Sequence, residues 1–332
     1  MNVKKQSLAQ GGFLLRATLA LCGLMVWVAA GPANAADPQA AKAALQRDAV
    51  CTACHNEGWR TPVLTIYQTK HGNRGDARTP GCRDCHGQSD QHLKSPVNSP
   101  DVVFGAKSAK LSAVEARNNS CLNCHESRIL ARTNWAGSQH EVNGLACTSC
   151  HDIHTPNMKV LSKATQAQVC FTCHQEQRAD TRKISAHPLA TPAVGNLPKM
   201  ACSDCHNPHG SPGPKLLKKN TVNETCWTCH AEKRGPFLWE HQPVTEDCTN
   251  CHTPHGSNLT PLLKDRPPFL CDECHDGPHN SQAPYGTAVG GIQAGGVAPG
   301  GNPNSNAVGR ACLNCHVMIH GSNSPAGAFL HR

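Results

Sequence analysis

Bulky aromatic side chains are almost missing from this sequence, with 6 Phe, 5 Trp and 2 Tyr among 332 residues. Charged residues make up only 16% of the chain, against about a quarter in an average soluble domain. Long apolar runs are also lacking: beyond residue 36 nothing approaches the ~20 residues that a membrane helix needs. The first scarcity excludes a conventional side-chain core in a chain of roughly two-domain length. The formal net charge is +8, but no Lys- or Arg-rich run accompanies it, which argues against nucleic acid as a partner. What the sequence has instead is 21 cysteines and 21 histidines, together with 28 glycines and 24 prolines. That is too much Cys and His for a disordered tail, so something other than side chains must fill the interior.

Residues 1–35 have the layout of a secretory signal peptide. Lys4, Lys5 and Arg16 supply a basic start, an apolar stretch runs from Ala17 to about Gly31, and Ala33-Asn34-Ala35 forms a small-x-small cleavage site. The apolar stretch is shorter than a span, so cleavage ahead of Ala36 is expected rather than an anchor helix.

Apart from Cys22, every cysteine lies in a Cys-x-x-Cys-His group. The ten groups contribute the pairs Cys51 and Cys54, Cys82 and Cys85, Cys121 and Cys124, Cys147 and Cys150, Cys170 and Cys173, Cys202 and Cys205, Cys226 and Cys229, Cys248 and Cys251, Cys271 and Cys274, and Cys312 and Cys315. The histidines that follow are His55, His86, His125, His151, His174, His206, His230, His252, His275 and His316. This is the attachment signature of c-type haem: two thiols add to the porphyrin vinyl groups and the next residue places an imidazole under the iron. A zinc ribbon has no need of His after each pair. A thioredoxin-like redox site would occur once, and a disulfide scaffold puts no constraint on the residue after each second cysteine. By composition His would follow a given cysteine about one time in sixteen, so ten in ten excludes all three. Ten covalent haems are expected, one per ~30 residues, and they replace the missing core.

Eleven histidines remain: His71, His92, His140, His154, His187, His209, His241, His255, His279, His320 and His331. Ten irons need ten distal ligands. His331, the penultimate residue, is the expected spare. Methionine cannot compete, because only Met158, Met200 and Met318 lie beyond the signal. The arrangement repeats. Motifs two, four, six and eight each have one His upstream and one downstream, giving units that begin at Cys82, Cys147, Cys202 and Cys248. His154, His209 and His255 lie three residues beyond a proximal His, too close to wrap around the porphyrin rim, so they must reach other haems. Pro and Gly in Pro208-His209-Gly210-Ser211 and Pro254-His255-Gly256-Ser257 permit the tight turns this needs. Elsewhere loops dominate. Short helices are expected after several motifs, with candidates at 109–118 and 160–169, and 281–310 reads as a Gly- and Asn-rich loop.

These residues carry a resemblance. The ten motifs, the two Pro-His-Gly-Ser turns, Ala231-Glu232-Lys233-Arg234-Gly235-Pro236 ahead of Leu238-Trp239-Glu240-His241, and the closing Cys312–His316 with His320-Gly321-Ser322 resemble the MtrA/DmsE family of decahaem cytochromes. The sequence is also similar to the MtoA and PioA proteins of iron oxidisers. The resemblance implies a multihaem cytochrome c fold: loops and short α-helices, with little or no β, wrapped around an elongated row of ten bis-His haems. It implies two pentahaem halves, 36–195 and 196–332. It also implies a periplasmic protein associated with the outer membrane through a porin-like β-barrel of the MtrB type. Such a conduit passes electrons between periplasmic or inner-membrane cytochromes c and the outer face, where an extracellular multihaem cytochrome, iron or manganese oxides, or Fe(II) exchange them. A bilayer with headgroups is about 40–45 Å thick, and a chain with no lipid-facing segment of its own would need a barrel to insulate it.

Two other classes remain open. A free periplasmic shuttle to a soluble reductase would use the same haems without a barrel. A multihaem reductase of nitrite, hydroxylamine or sulfite needs an iron with an open position. All ten motifs end in His and ligands exist for all ten irons, which favours an electron-transfer protein with no catalytic residue.

Overall fold

The computed structural model describes residues 38–59, 62–76, 78–105, 110–125, 135–189, 200–275, 312–325 and 327–330. The signal segment, the 281–310 loop, His279 and His331 lie outside the described residues. Among the described residues the chain is short helices and loops with no β-strand. Only isolated two-residue bridges occur, such as His206 with Leu217 and His252 with Leu263.

The helices follow the attachment motifs. Each odd-numbered motif closes or sits within an α-helix: Pro38–Thr52, Val114–His125, Lys163–Cys170, Val222–Trp227 and Phe269–Asp272. Each even-numbered motif opens its own short turn on the first cysteine: Cys82–His86, Cys147–Ser149, Cys202–Cys205, Cys248–Asn250 and Cys312–Asn314. In both kinds the histidine N–H bonds back to the carbonyl of the first cysteine, as in His151 to Cys147 at 2.9 Å and His275 to Cys271 at 3.0 Å. One helical turn therefore puts both thiols and the imidazole on adjoining positions of one face. Local polar side chains set where these turns begin. Asp84 accepts the Gly81 N–H at 2.6 Å, and Asp204 accepts that of Ala201 at 2.9 Å. The Thr221 hydroxyl caps Glu224 at 3.0 Å, satisfying one of the free donors at the helix start.

The helices expected at 109–118 and 160–169 lie further along, at Val114–His125 and Lys163–Cys170. Their C-terminal residues are the motifs themselves, since the Cys-to-His turn continues the helical hydrogen bonding. Short helices do follow motifs two, five and seven, at Asp90–Lys94, Gln175–Asp180 and Ala231–Lys233.

Two compact units are present: Met1–Gln88 with His154–Pro156, and Ser89–Ile153 with Asn157–Arg332. The first carries motifs one and two and the second carries motifs three to ten. The boundary expected at residue 195 lies outside the described residues. Among the described residues neither unit shows a side-chain core of ordinary size. The buried apolar residues are Val103, Ala146, Ala167, Phe171, Leu189, Ala201 and Leu330, while Val97, Ile184 and Leu161 stand exposed.

Candidate haem-binding sites

Among the described residues, imidazoles face one another in pairs. Four proximal histidines of even motifs meet a histidine that follows a later even motif: His86 with His154 at 6.4 Å between ring centroids, His151 with His209 at 5.9 Å, His206 with His255 at 6.1 Å and His252 with His320 at 6.1 Å. Three proximal histidines of odd motifs meet a histidine from an earlier linker: His174 with His140 at 6.2 Å, His230 with His187 at 6.3 Å and His275 with His241 at 6.1 Å. An imidazole nitrogen binds a transition metal at about 2.0–2.1 Å, so two imidazoles on opposite sides of one metal have centroids roughly 6.2–6.5 Å apart. The spacing fits one iron between each pair.

Hydrogen bonds orient the rings for this role. The Nδ1 of His140 lies 2.7 Å from the Pro208 carbonyl, and that of His187 lies 2.6 Å from Pro254. The Nδ1 of His154 faces Val63 at 2.9 Å, and that of His92 faces Asn98 at 2.6 Å. Among the proximal rings, His206 reaches Lys215 at 2.9 Å, His252 reaches Pro261 at 2.9 Å and His316 reaches Phe329 at 2.6 Å. A carbonyl only accepts, so Nδ1 carries the proton and Nε2 keeps its lone pair for a metal. Burial lowers the pKa of His206, His209, His241, His255 and His320, which favours the neutral form that ligates.

The Pro-His-Gly-Ser turns serve two sites each. Pro208 accepts from His140 of one facing pair, and the next residue, His209, belongs to another. Pro254 and His255 repeat the arrangement with His187 and His206. In each turn the serine hydroxyl donates to a carbonyl six residues on, Ser211 to Leu217 and Ser257 to Leu263. Ser257 also forms a two-bond backbone bridge with Ser185 at 2.7 and 2.9 Å, and Ser322 forms the same bridge with Trp239 at 2.9 Å both ways. Ser185 and Trp239 each stand two residues before a facing histidine, so the bridges hold His187 and His241 against the turns. At Gly256 an added Cβ would stand 2.0 Å from the backbone oxygen of Asp180. Gly256→Ala is therefore expected to destabilise the protein by about 1–3 kcal/mol and to displace His255, read as lower thermal stability in Soret circular dichroism.

The first cysteines come together in twos. Cys51 lies beside Cys82, Cys121 beside Cys147, Cys170 beside Cys202, Cys226 beside Cys248 and Cys271 beside Cys312. Spatial pairs thus run from an odd motif to the next even one, one motif out of step with the sequence units that begin at Cys82, Cys147, Cys202 and Cys248. The reason is the geometry of attachment: an odd helix ends where the next even turn begins, so their first thiols share a corner. Between pairs, Cys150 lies in electrostatic range of Cys173, Cys205 of Cys226 and Cys229, and Cys251 of Cys274.

A further set of residues stands out only in the structure. Asn118 accepts the Cys147 N–H at 2.8 Å and donates to Leu145 at 3.1 Å. Asn223 accepts from Cys248 at 2.7 Å and donates to Val244 and Thr245 at 3.0 Å each. Asp48 accepts from Cys82 at 3.3 Å. All three are buried, and each lies three residues before the first cysteine of an odd motif. In the pair of motifs five and six, Gln166 takes over, accepting from Ser203 at 2.9 Å. The shared offset was visible in the sequence, but its meaning was not.

Among the other expected ligands, His71 lies in the 3-10 turn Lys70–Gly72 and His92 in the helix Asp90–Lys94. No described helix is long and apolar enough to cross a membrane.

Repeated attachment turns on a scaffold of loops and short helices define a multihaem c-type cytochrome, an electron-transfer protein rather than an enzyme. Residues 82–173 match the family of NrfB-like cytochrome c-type proteins, and residues 195–235 and 241–280 match the doubled CXXCH motif. The chain is 45% identical over 290 residues to the multiheme cytochrome MtrA of Shewanella baltica, spanning 85% of this chain and 80% of that protein. It is 33% identical over 115 residues to the cytochrome c-type protein NrfB of Haemophilus influenzae, a third of this chain and 49% of the other. The chain belongs to the MtrA family of multihaem c-type cytochromes.

Proposed function

We propose that the chain is a ten-haem electron conduit across the outer membrane, held inside a porin-like barrel of the MtrB type. The observation that carries this reading is continuity. From the third motif to the tenth, cysteines of each motif lie close to cysteines of the next. Haems attached at these cysteines would lie side by side in chain order, as a wire requires. The facing imidazoles support bis-His ligation, and His71, His92 and His279 complete ten distal ligands, leaving His331 spare. Held by two histidines each, the haem irons would supply electron exchange and leave no vacancy for a substrate.

In this reading the cleaved chain lies in the periplasm in two pentahaem halves, 36–195 and 196–332. A periplasmic or inner-membrane cytochrome c exchanges electrons with one end. An extracellular cytochrome, a metal oxide or Fe(II) does so at the other. The residues themselves are indifferent to the direction of flow.

The test is reconstitution in liposomes that enclose a redox dye. Chain plus barrel should pass electrons from an external reductant to the dye, whereas either component alone should not. If the chain copurifies with no outer-membrane barrel and the pair leaves the dye untouched, the free periplasmic shuttle takes its place.

A further inference from the structure

The buried side chain three residues before an odd motif is an amide at Asn118 and Asn223 but a carboxylate at Asp48. All three do the same mechanical work: the side-chain oxygen accepts the backbone N–H of the first cysteine in the partner motif. The charge differs. Asp48 is 5% exposed. Around it the Tyr67 hydroxyl donates at 3.0 Å and Arg47 approaches at 3.4 Å, while the Arg74 guanidinium stands 3.5 Å over the Tyr67 ring. The Arg47 side chain is 40% exposed, so water screens its charge more than it screens the carboxylate.

We propose that Asp48, Asn118 and Asn223 are positioning residues that lock the two attachment turns of a haem pair together, and that Asp48 in addition lowers the potential of the pair carried by motifs one and two. The physical argument has two parts. A buried N–H whose acceptor is removed costs about 1–3 kcal/mol, so each side chain holds its cysteine corner in one arrangement and keeps the two macrocycles at one separation. A carboxylate buried beside the attachment turns stabilises the more positive, oxidised iron over the reduced one, and an amide of the same shape does not. The first pair therefore gives up electrons more readily than it would with the Asn of the later pairs.

This rests on the ten-haem reading, and the experiment separates the two. Holoprotein is first assayed for haem per chain; fewer than ten in the unaltered protein would remove the underlying reading. Optical redox titration is then run on Asp48→Asn, which keeps an oxygen for the Cys82 N–H, and on Asn118→Asp, which adds the charge to the second pair. In Asp48→Asn about a fifth of the haem absorbance change should move to higher potential, with its oxidised-to-reduced ratio changed about fivefold or more. In Asn118→Asp a similar fraction should move lower. A purely structural role would instead broaden the whole curve or lower haem content in both variants alike. Curves superimposable on the unaltered protein, with ten haems retained, would overturn the proposal. Should Asp48→Asn fail to mature, a downward shift in Asn118→Asp still supports it, and an unshifted curve there refutes it.

Discussion

Chain made without haem attachment should be unfolded: rapidly cleaved by protease, without a cooperative thermal transition, and with little helix by far-ultraviolet circular dichroism. The expectation follows from magnitudes. Among the described residues the large buried apolar side chains are Val103, Phe171, Leu189 and Leu330, and burying such a side chain is worth about 1.5–3 kcal/mol. Four such side chains are far too few to offset the conformational entropy lost on ordering a chain of this length. Intrinsic helix formation cannot close that gap, because most of the helices are four to eight residues long and such segments are marginal in water. The interior has to come from covalent porphyrin. Replacing both cysteines of a single motif, Cys202 and Cys205, should show the same dependence locally, through protease cuts concentrated near residues 200–218. A compact, protease-resistant apoprotein would refute this account.

His209→Ala should leave one iron with an open or exchanged axial position and interrupt electron flow along the chain. His209 faces His151 at 5.9 Å, Trp135 packs edge-on at 6.3 Å, and Pro208 beside it accepts from His140. One substitution thus removes the ring that faces His151 and loosens the turn that orients the ring facing His174. About a tenth of the haem should become high spin by magnetic resonance or resonance Raman spectroscopy, and electron flux through the reconstituted conduit should fall at least about tenfold. His331→Ala is the control and should change neither quantity. A His209→Ala protein that stays fully low spin would mean that another residue serves the iron bound at His151.

The two results probe different layers of the same design. Attachment was legible in the sequence because it is covalent and local: Cys-x-x-Cys-His needs one helical turn, and all ten turns are present with little help from distant residues. The histidine count was equally legible, since it does not depend on the fold, whereas which rings face one another was not. The tight turns at Pro208–Ser211 and Pro254–Ser257 could be read from their Pro and Gly.

The helix limits were less readable, since a motif at the end of Val114–His125 extends a helix that propensity alone would stop earlier. The sequence repeat also suggested units starting at Cys82 and Cys147, whereas thiol contacts join Cys51 with Cys82 and Cys121 with Cys147. Asn118, Asn223 and Asp48 carry no distinctive sequence signal, because an Asx residue near a helix end is ordinarily a cap or a turn former. Only burial and a bond reaching 25 to 34 residues along the chain reveal the other role.

Sequence by itself determined that this protein is a multihaem c-type cytochrome that binds haem covalently, and which Cys-x-x-Cys-His groups are the candidates for attachment. Those properties depend on bonds between residues at most five positions apart. Tertiary structure decided which histidine faces which, that odd motifs pair with the even motifs after them, and that a single turn serves two sites. The facing rings are 34 to 68 residues apart in the chain. Over such separations no local preference selects a partner, and only the packing of whole attachment turns against one another can.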